Sequence, residues 1–260
     1  MAMLGPDFRA GLRHPLYRPY GPINLSPAIG IFAVLLIANQ VIFQPLFAAG
    51  IAAFGAGDAD DFFAGLERGT LLSILPAGLL TAYFAWILAR QRGISPKEVL
   101  ALHYPAMGIV GWGAIILGFP VVMFIVFAVL ALVFRFDLSS TGLVEQTVMQ
   151  SSNDPLYFLI AGGLIIGAPI AEELTFRGQI FAALSQTRLG VFGTSVITSA
   201  MWAAMHGFAQ PPLYVIILLF LMGMALCWLL VRFGSLWVTI ACHATWNAVQ
   251  TILLYFPAQP

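Results

Sequence analysis

Charge is what this chain has least of. Only 8% of its 260 residues are Asp, Glu, Lys or Arg, against about 25% in an ordinary soluble domain. The few charges cancel, 11 of each sign. No Lys/Arg block interleaved with aromatics occurs, so nucleic acid is excluded as a partner. Cysteine is nearly absent too. Cys227 and Cys242 both lie in apolar runs, no Cys-x-x-Cys pair offers a zinc site, and the two read as small buried hydrophobes. The zinc-protease signature His-Glu-x-x-His is missing, as is the Gly-x-Ser-Gly of intramembrane serine proteases. No internal repeat supports an inverted-repeat transporter. The N-terminus lacks the pattern of a secretory signal, because the first apolar run is broken by Asn39, Gln40 and Pro45 and has no clear cleavage site.

What the chain does have is hydrocarbon. Hydrophobic residues make up 60% of it and the mean hydropathy is +0.94. That composition predicts an all-α polytopic transmembrane bundle. With about 20 apolar residues per crossing, about seven spans are expected, near 27–54, 69–89, 106–134, 156–184, 191–208, 211–232 and 235–256. Three regions follow: an N-terminal interfacial or flexible arm (1–25), three spans with loops (26–155), and a four-span core (156–260). Membrane lipids are the first partners.

The positive-inside rule orients the chain. With the N-terminus cytoplasmic, Arg9, Arg13, Arg18, Arg90, Arg92, Lys97, Arg188 and Arg232 fall inside, whereas only Arg68 and Arg135 fall outside. The outer loops also hold Asp58, Asp60, Asp61, Glu67, Asp137, Glu145 and Asp154. The longest polar connection, about 135–155, ends in Asp154-Pro155, a helix-start signal.

Against this background, Ala171-Glu172-Glu173-Leu174-Thr175-Phe176-Arg177-Gly178 stands out. A charge in hydrocarbon costs several kcal/mol unless paired or hydrated, so such a group is a functional candidate by default. Glu173 and Arg177 are four apart and share a helix face, which suits an ion pair. Glu172 diverges by about 100° and has no local partner. A carboxylate so placed suits general-base work. His206 stands in Met201-Trp202-Ala203-Ala204-Met205-His206, and His243 and Asn247 are one helical turn apart further on. At about 1.5 Å per residue, Glu172, His206, His243 and Asn247 lie about 12–20 Å from their helix ends, in one zone of the bilayer. Each also has a plain structural reading: a His or Asn as an interhelical hydrogen-bond partner, Glu173–Arg177 as a brace, and Trp202, Trp237, Trp246, Met222 and Met224 as packing or interface anchors. His14 and His103 read as solvated loop residues.

At these residues the chain resembles the CAAX-protease and bacteriocin-processing (CPBP, or ABI) family of intramembrane endopeptidases, to which the type II CAAX prenyl endopeptidase belongs. Glu172, Glu173 and Arg177 match its Glu-Glu-x-x-x-Arg helix with the Phe-Arg-Gly ending at Phe176–Gly178. Trp202 and His206 match its aromatic-x-x-x-His, with Trp where Phe is commoner, and His243 and Asn247 match its His-x-x-x-Asn after Gly234-Ser235-Leu236-Trp237. The resemblance covers about 156–250. It implies a protease in which Glu172 activates water, His206 holds and polarises it, His243 and Asn247 bind the oxyanion, and Glu173 and Arg177 support the site. It implies a peptide or protein substrate, with C-terminal CAAX-type processing as one form. The family has also been labelled a metalloprotease, and two histidines with a glutamate are a possible zinc set. The pairing of His243 with Asn247 favours a mechanism without cofactor. A bacterial inner membrane is the expected location.

Two rivals stand beside this reading. One is a non-proteolytic scaffold or a bacteriocin immunity or self-protection protein using the same fold. The other is a proton-coupled transporter relaying through Glu172 and the histidines. The second is disfavoured because the first three spans hold no buried charge.

Overall fold

The computed structural model describes residues 4–21, 23–91, 95–135, 149, 151–207 and 211–255. Arg92, Asp137 and Glu145, which entered the charge reading, lie outside them, as does most of the expected polar connection at 135–155. Among the described residues the chain is helical, without strands. The chief helices are α1 (Pro6–Arg13), α2 (Leu25–Gly55), α3 (Ala59–Arg90), α4 (Ile109–Phe134), α5 (Tyr157–Leu184), α6 (Gly190–His206), α7 (Leu213–Phe233) and α8 (Leu236–Tyr255). Five of them, α2, α3, α4, α5 and α7, are long and apolar enough to cross a membrane. Helices α6 and α8 form where spans were expected, but they fall short of that measure. Helix α6 has 17 residues, and α8 carries His243, Asn247 and Gln250 in its apolar run.

Helix α3 starts well before the expected 69. The Asp58 side chain accepts from Asp61 N at 2.9 Å, an N-cap backed by Asp60 and Asp61 in the first turn, where acidic side chains complement the helix dipole. Gly55-Ala56-Gly57-Asp58 also has the Gly-x-Gly-Asp spacing of presenilin-type aspartyl proteases. Here its aspartate is an exposed cap rather than a membrane-embedded acid.

Within the arm expected to be interfacial or flexible, Pro6–Arg13 is a helix docked on the bundle. Gly11 of α1 lies against Phe233, Leu16 and Tyr17 donate their amides to Val231 O at 3.1 Å, and Arg232 bonds to Leu12 O. Asp7 meets the Ala106 amide, and Ser235 donates to His103 O at 2.5 Å. The arm, the 95–108 connection and the α7–α8 turn therefore share one end of the bundle. At the start of α5, Arg68 clamps Asp154 with two bonds of 2.5 and 3.0 Å. Asp154 also accepts from Leu156 N at 2.7 Å.

Helices α3 and α5 pack backbone to backbone. A Cβ on Gly78 would stand 2.3 Å from Gly167 O, and one on Gly167 2.8 Å from Ile74 O. Small residues allow such approach where no hydrophobic force drives helices together. Three stretches are wound as π-helix: Ala38–Phe43 in α2, and Gly163–Gly167 and Leu174–Ile180 in α5. Such segments are rare and are found frequently at functional sites. The apolar core between α4, α5, α6, α7 and α8 includes Phe176, Met123, Met222, Leu226 and Trp246, and it encloses Trp202.

Candidate active site

The adjacent carboxylates of α5 part company, as their 100° divergence requires. Glu173 points inward and is fully buried with Arg177. Arg177 Nη1 donates to Glu173 Oε1 at 3.0 Å, and Nη2 donates to Gly223 O at 3.4 Å. Gly223 permits this because a Cβ there would crowd Nη2 itself at 3.1 Å, besides meeting the Ser199 Cβ at 2.8 Å. The guanidinium also lies 4.9 Å from the Trp202 ring centroid, a cation–π distance. A buried ion pair needs such extra partners to offset its desolvation.

His243, from α8, joins the same oxygen. Its Nδ1 lies 3.0 Å from Glu173 Oε1. A carboxylate paired with arginine only accepts, so Nδ1 carries the proton and donates it. The opposite nitrogen, Nε2, then faces Glu172 Oε2 at 3.9 Å.

Glu172 is the carboxylate that can be reached: its side chain is 18% exposed, against 0% for Glu173. The sequence offered it no partner, and the structure supplies one. Trp202 Nε1 donates to Glu172 Oε2 at 2.5 Å. Trp202, read from sequence as packing, is the hub of the site. Its ring meets His206 edge-on at 5.0 Å and His243 at 5.4 Å. The missed signal was the indole N–H, which a buried Trp must spend on a partner. His206 is fixed by Nδ1 bonding to Trp202 O at 2.9 Å. A carbonyl only accepts, so Nδ1 carries a proton and donates it.

Asn247 sits one turn beyond His243, and its Nδ2 donates to Leu164 O at 2.8 Å. That carbonyl is in the π-segment, where Ala168 N already serves Gly163 O. Its next backbone donor in that register is Pro169, which has no N–H. Asn247 fills the gap. Thus Glu172, His206 and His243 converge on Trp202, whereas Asn247 is engaged with α5 backbone.

Among the described residues no group of three or more His, Cys, Asp or Glu is arranged to hold a metal ion. Both cysteines are buried and free.

A small pocket opens beside Glu172. Its walls include Ala171, Thr175 and Phe176 of α5, Met205 of α6, and Leu35, Leu36, Asn39 and Gln40 of α2. The first span thus reaches the site, and its Phe32 packs edge-on against Phe176 at 5.1 Å.

No curated protein and no solved structure matches this chain. A family does: residues 154–249 match the one described as Type II CAAX prenyl endopeptidase Rce1-like, and this stretch holds every motif residue from Glu172 to Asn247. Over residues 154–249 the chain is therefore similar to the Rce1-like family.

Proposed function

We propose that this integral membrane protein is an intramembrane endopeptidase in which Glu172 activates the attacking water. The observation that carries the reading is that Glu172, a reachable carboxylate, lines the pocket and has a histidine nitrogen, His243 Nε2, 3.9 Å from its Oε2. Peptide hydrolysis needs a base for water and preorganised donors for the oxyanion.

In this reading Glu172 takes one proton from water while His206 Nε2 accepts a hydrogen bond from the other. The hydroxide oxygen bonds to the scissile carbonyl carbon, and the C=O electrons move onto oxygen. Collapse of the tetrahedral species breaks the C–N bond, and the proton held by Glu172 passes to the leaving amine. His243 and Asn247 bind the oxyanion. Because Nδ1–H of His243 is given to Glu173, Nε2 can donate only when the ring is an imidazolium, whose charge Glu173 compensates. Asn247 has one N–H beyond its bond to Leu164. Glu173 and Arg177 hold the imidazole, and no metal or other cofactor takes part. The substrate is a peptide or protein, and CAAX-type C-terminal processing is the form the family description suggests. The basic arm, Lys97 and Arg232 at one end of the bundle favour a cytoplasmic N-terminus in a bacterial inner membrane. A scaffold or immunity protein would have no use for a carboxylate kept open to a pocket.

The test compares wild type with Glu172→Gln, matched for folded level in the same cells. N- and C-terminal peptide mapping of the membrane proteome should show termini that vanish in the mutant. Identical termini in both would overturn the reading and favour the scaffold.

A further inference from the structure

Gln40 belongs to α2, outside the family-matched stretch, yet it lines the same pocket as Glu172. It is the central residue of the span Leu25–Gly55, about 22 Å from either end. Glu172 is near the middle of Tyr157–Leu184, so the two meet at bilayer depth. There a carboxamide without partners is costly, and it needs a reason.

Its neighbour Asn39 has an ordinary one. Asn39 Nδ2 donates to Thr81 Oγ1 at 2.7 Å and to Ala77 O at 3.4 Å. Asn39 Oδ1 accepts from Gln40 Nε2 at 3.1 Å and Gln44 Nε2 at 2.8 Å. Two donors and two acceptor sites are all a carboxamide has. Asn39 is therefore saturated, buried, and joins α2 to α3. Gln40 differs in each respect. It is exposed, and its one hydrogen bond among the described residues goes to the adjacent residue of its own helix. It ties no helices together. The bond to a fixed Asn39 holds the amide in place and leaves one N–H and the whole Oε1 unspent.

One N–H and one C=O side by side are what an extended polypeptide presents along its edge. Helical substrate offers neither, since its backbone groups are paired internally. We propose that Gln40 is a substrate-binding residue, whose carboxamide hydrogen-bonds the main chain of an unwound peptide segment and holds it in the pocket beside Glu172. The π-segment of α2 gives the position its geometry: Asn39 and Gln40 both lie in it and both line the pocket, but the Asn39 amide is spent on α3 whereas Gln40 keeps part of its own free. Recognition of this kind reads backbone, not side chains, and so sets conformation rather than sequence as the requirement. The inference rests on the proteolytic reading.

The test uses the full-length protein in proteoliposomes and a quenched fluorescent peptide. The peptide copies the most abundant cleavage site that Glu172→Gln abolishes in cells. A series of analogues replaces one backbone amide at a time by an ester, removing an N–H and weakening a C=O. Gln40→Leu, which suits a membrane helix, should keep its folded yield and raise KM about five- to tenfold, the worth of one or two hydrogen bonds, with kcat within about twofold. One or two ester positions should hurt wild type and have no further effect on Gln40→Leu. Ester effects that add to the mutation at every position would overturn the assignment while leaving proteolysis intact. An unchanged KM in Gln40→Leu would do the same. Absence of any Glu172-dependent terminus in cells would remove the proteolytic reading and this inference together.

Discussion

Trp202 Nε1 donates to Glu172 Oε2 across 2.5 Å, so the proposed base is held by a residue on another helix. The family pattern asks only for an aromatic at this place. Phenylalanine would pack there but has no N–H to give. Trp202→Phe should therefore keep the folded yield and lose the orientation of the carboxylate. A hydrogen bond to a charged group is worth about 1.5–3 kcal/mol, so kcat/KM should fall roughly 10- to 100-fold. Steady-state kinetics on a peptide that wild type cleaves would check it, and unchanged kinetics would show that Glu172 is positioned by something else.

Arg177→Ala should be a folding mutation first. It leaves Glu173 buried without its cation, a change that costs about 3–5 kcal/mol. Detergent-solubilised yield and thermal midpoint should both drop, and activity with them. The double variant Glu173→Gln with Arg177→Met removes both charges together and should recover much of the stability while staying inactive. Normal yield in the single variant would contradict the buried pair.

Asn247→Ala tests a residue with two possible duties. Losing the donor to Leu164 O leaves a carbonyl next to Pro169 without its partner, a cost of about 1–3 kcal/mol. The thermal midpoint should fall by the equivalent amount. If Asn247 also binds the oxyanion, kcat measured on the surviving folded fraction should fall by a further factor of about 100. A stability loss with normal kcat would confine Asn247 to its backbone role.

At the far end of the bundle, Arg68 holds the Asp154 carboxyl below its ordinary range. A depressed folded value means that the stabilisation is present above the unfolded value of about 3.9 and is lost as pH falls through the folded one. Arg68 is half exposed, so solvent screening keeps the effect small. Asp154→Asn should flatten that acid dependence of the thermal midpoint and leave the rest of the profile unchanged.

The membrane character, the helical architecture and the positions of the seven helices were legible in the sequence because hydrocarbon admits few alternatives to a helix. So was the pairing of Glu173 with Arg177, since four residues make one turn. The span measure was less legible: α6 is short and α8 is polar, because their surroundings include the site rather than lipid alone. What sequence spacing carried no information about was contact between helices. It offered Glu172 no partner, whereas the bundle gives it the indole of Trp202. It put Asn247 with His243, whereas the fold commits an Asn247 amide proton to the Leu164 carbonyl, which Pro169 cannot serve. It treated Asn39 and Gln40 as interruptions of an apolar run, whereas packing brings both to the pocket, saturates Asn39 and leaves Gln40 with unspent hydrogen-bonding groups. Composition and periodicity along one chain determine which segments are helices and which faces are polar. Which polar group meets which depends on how those helices cross, and only the tertiary structure decides that.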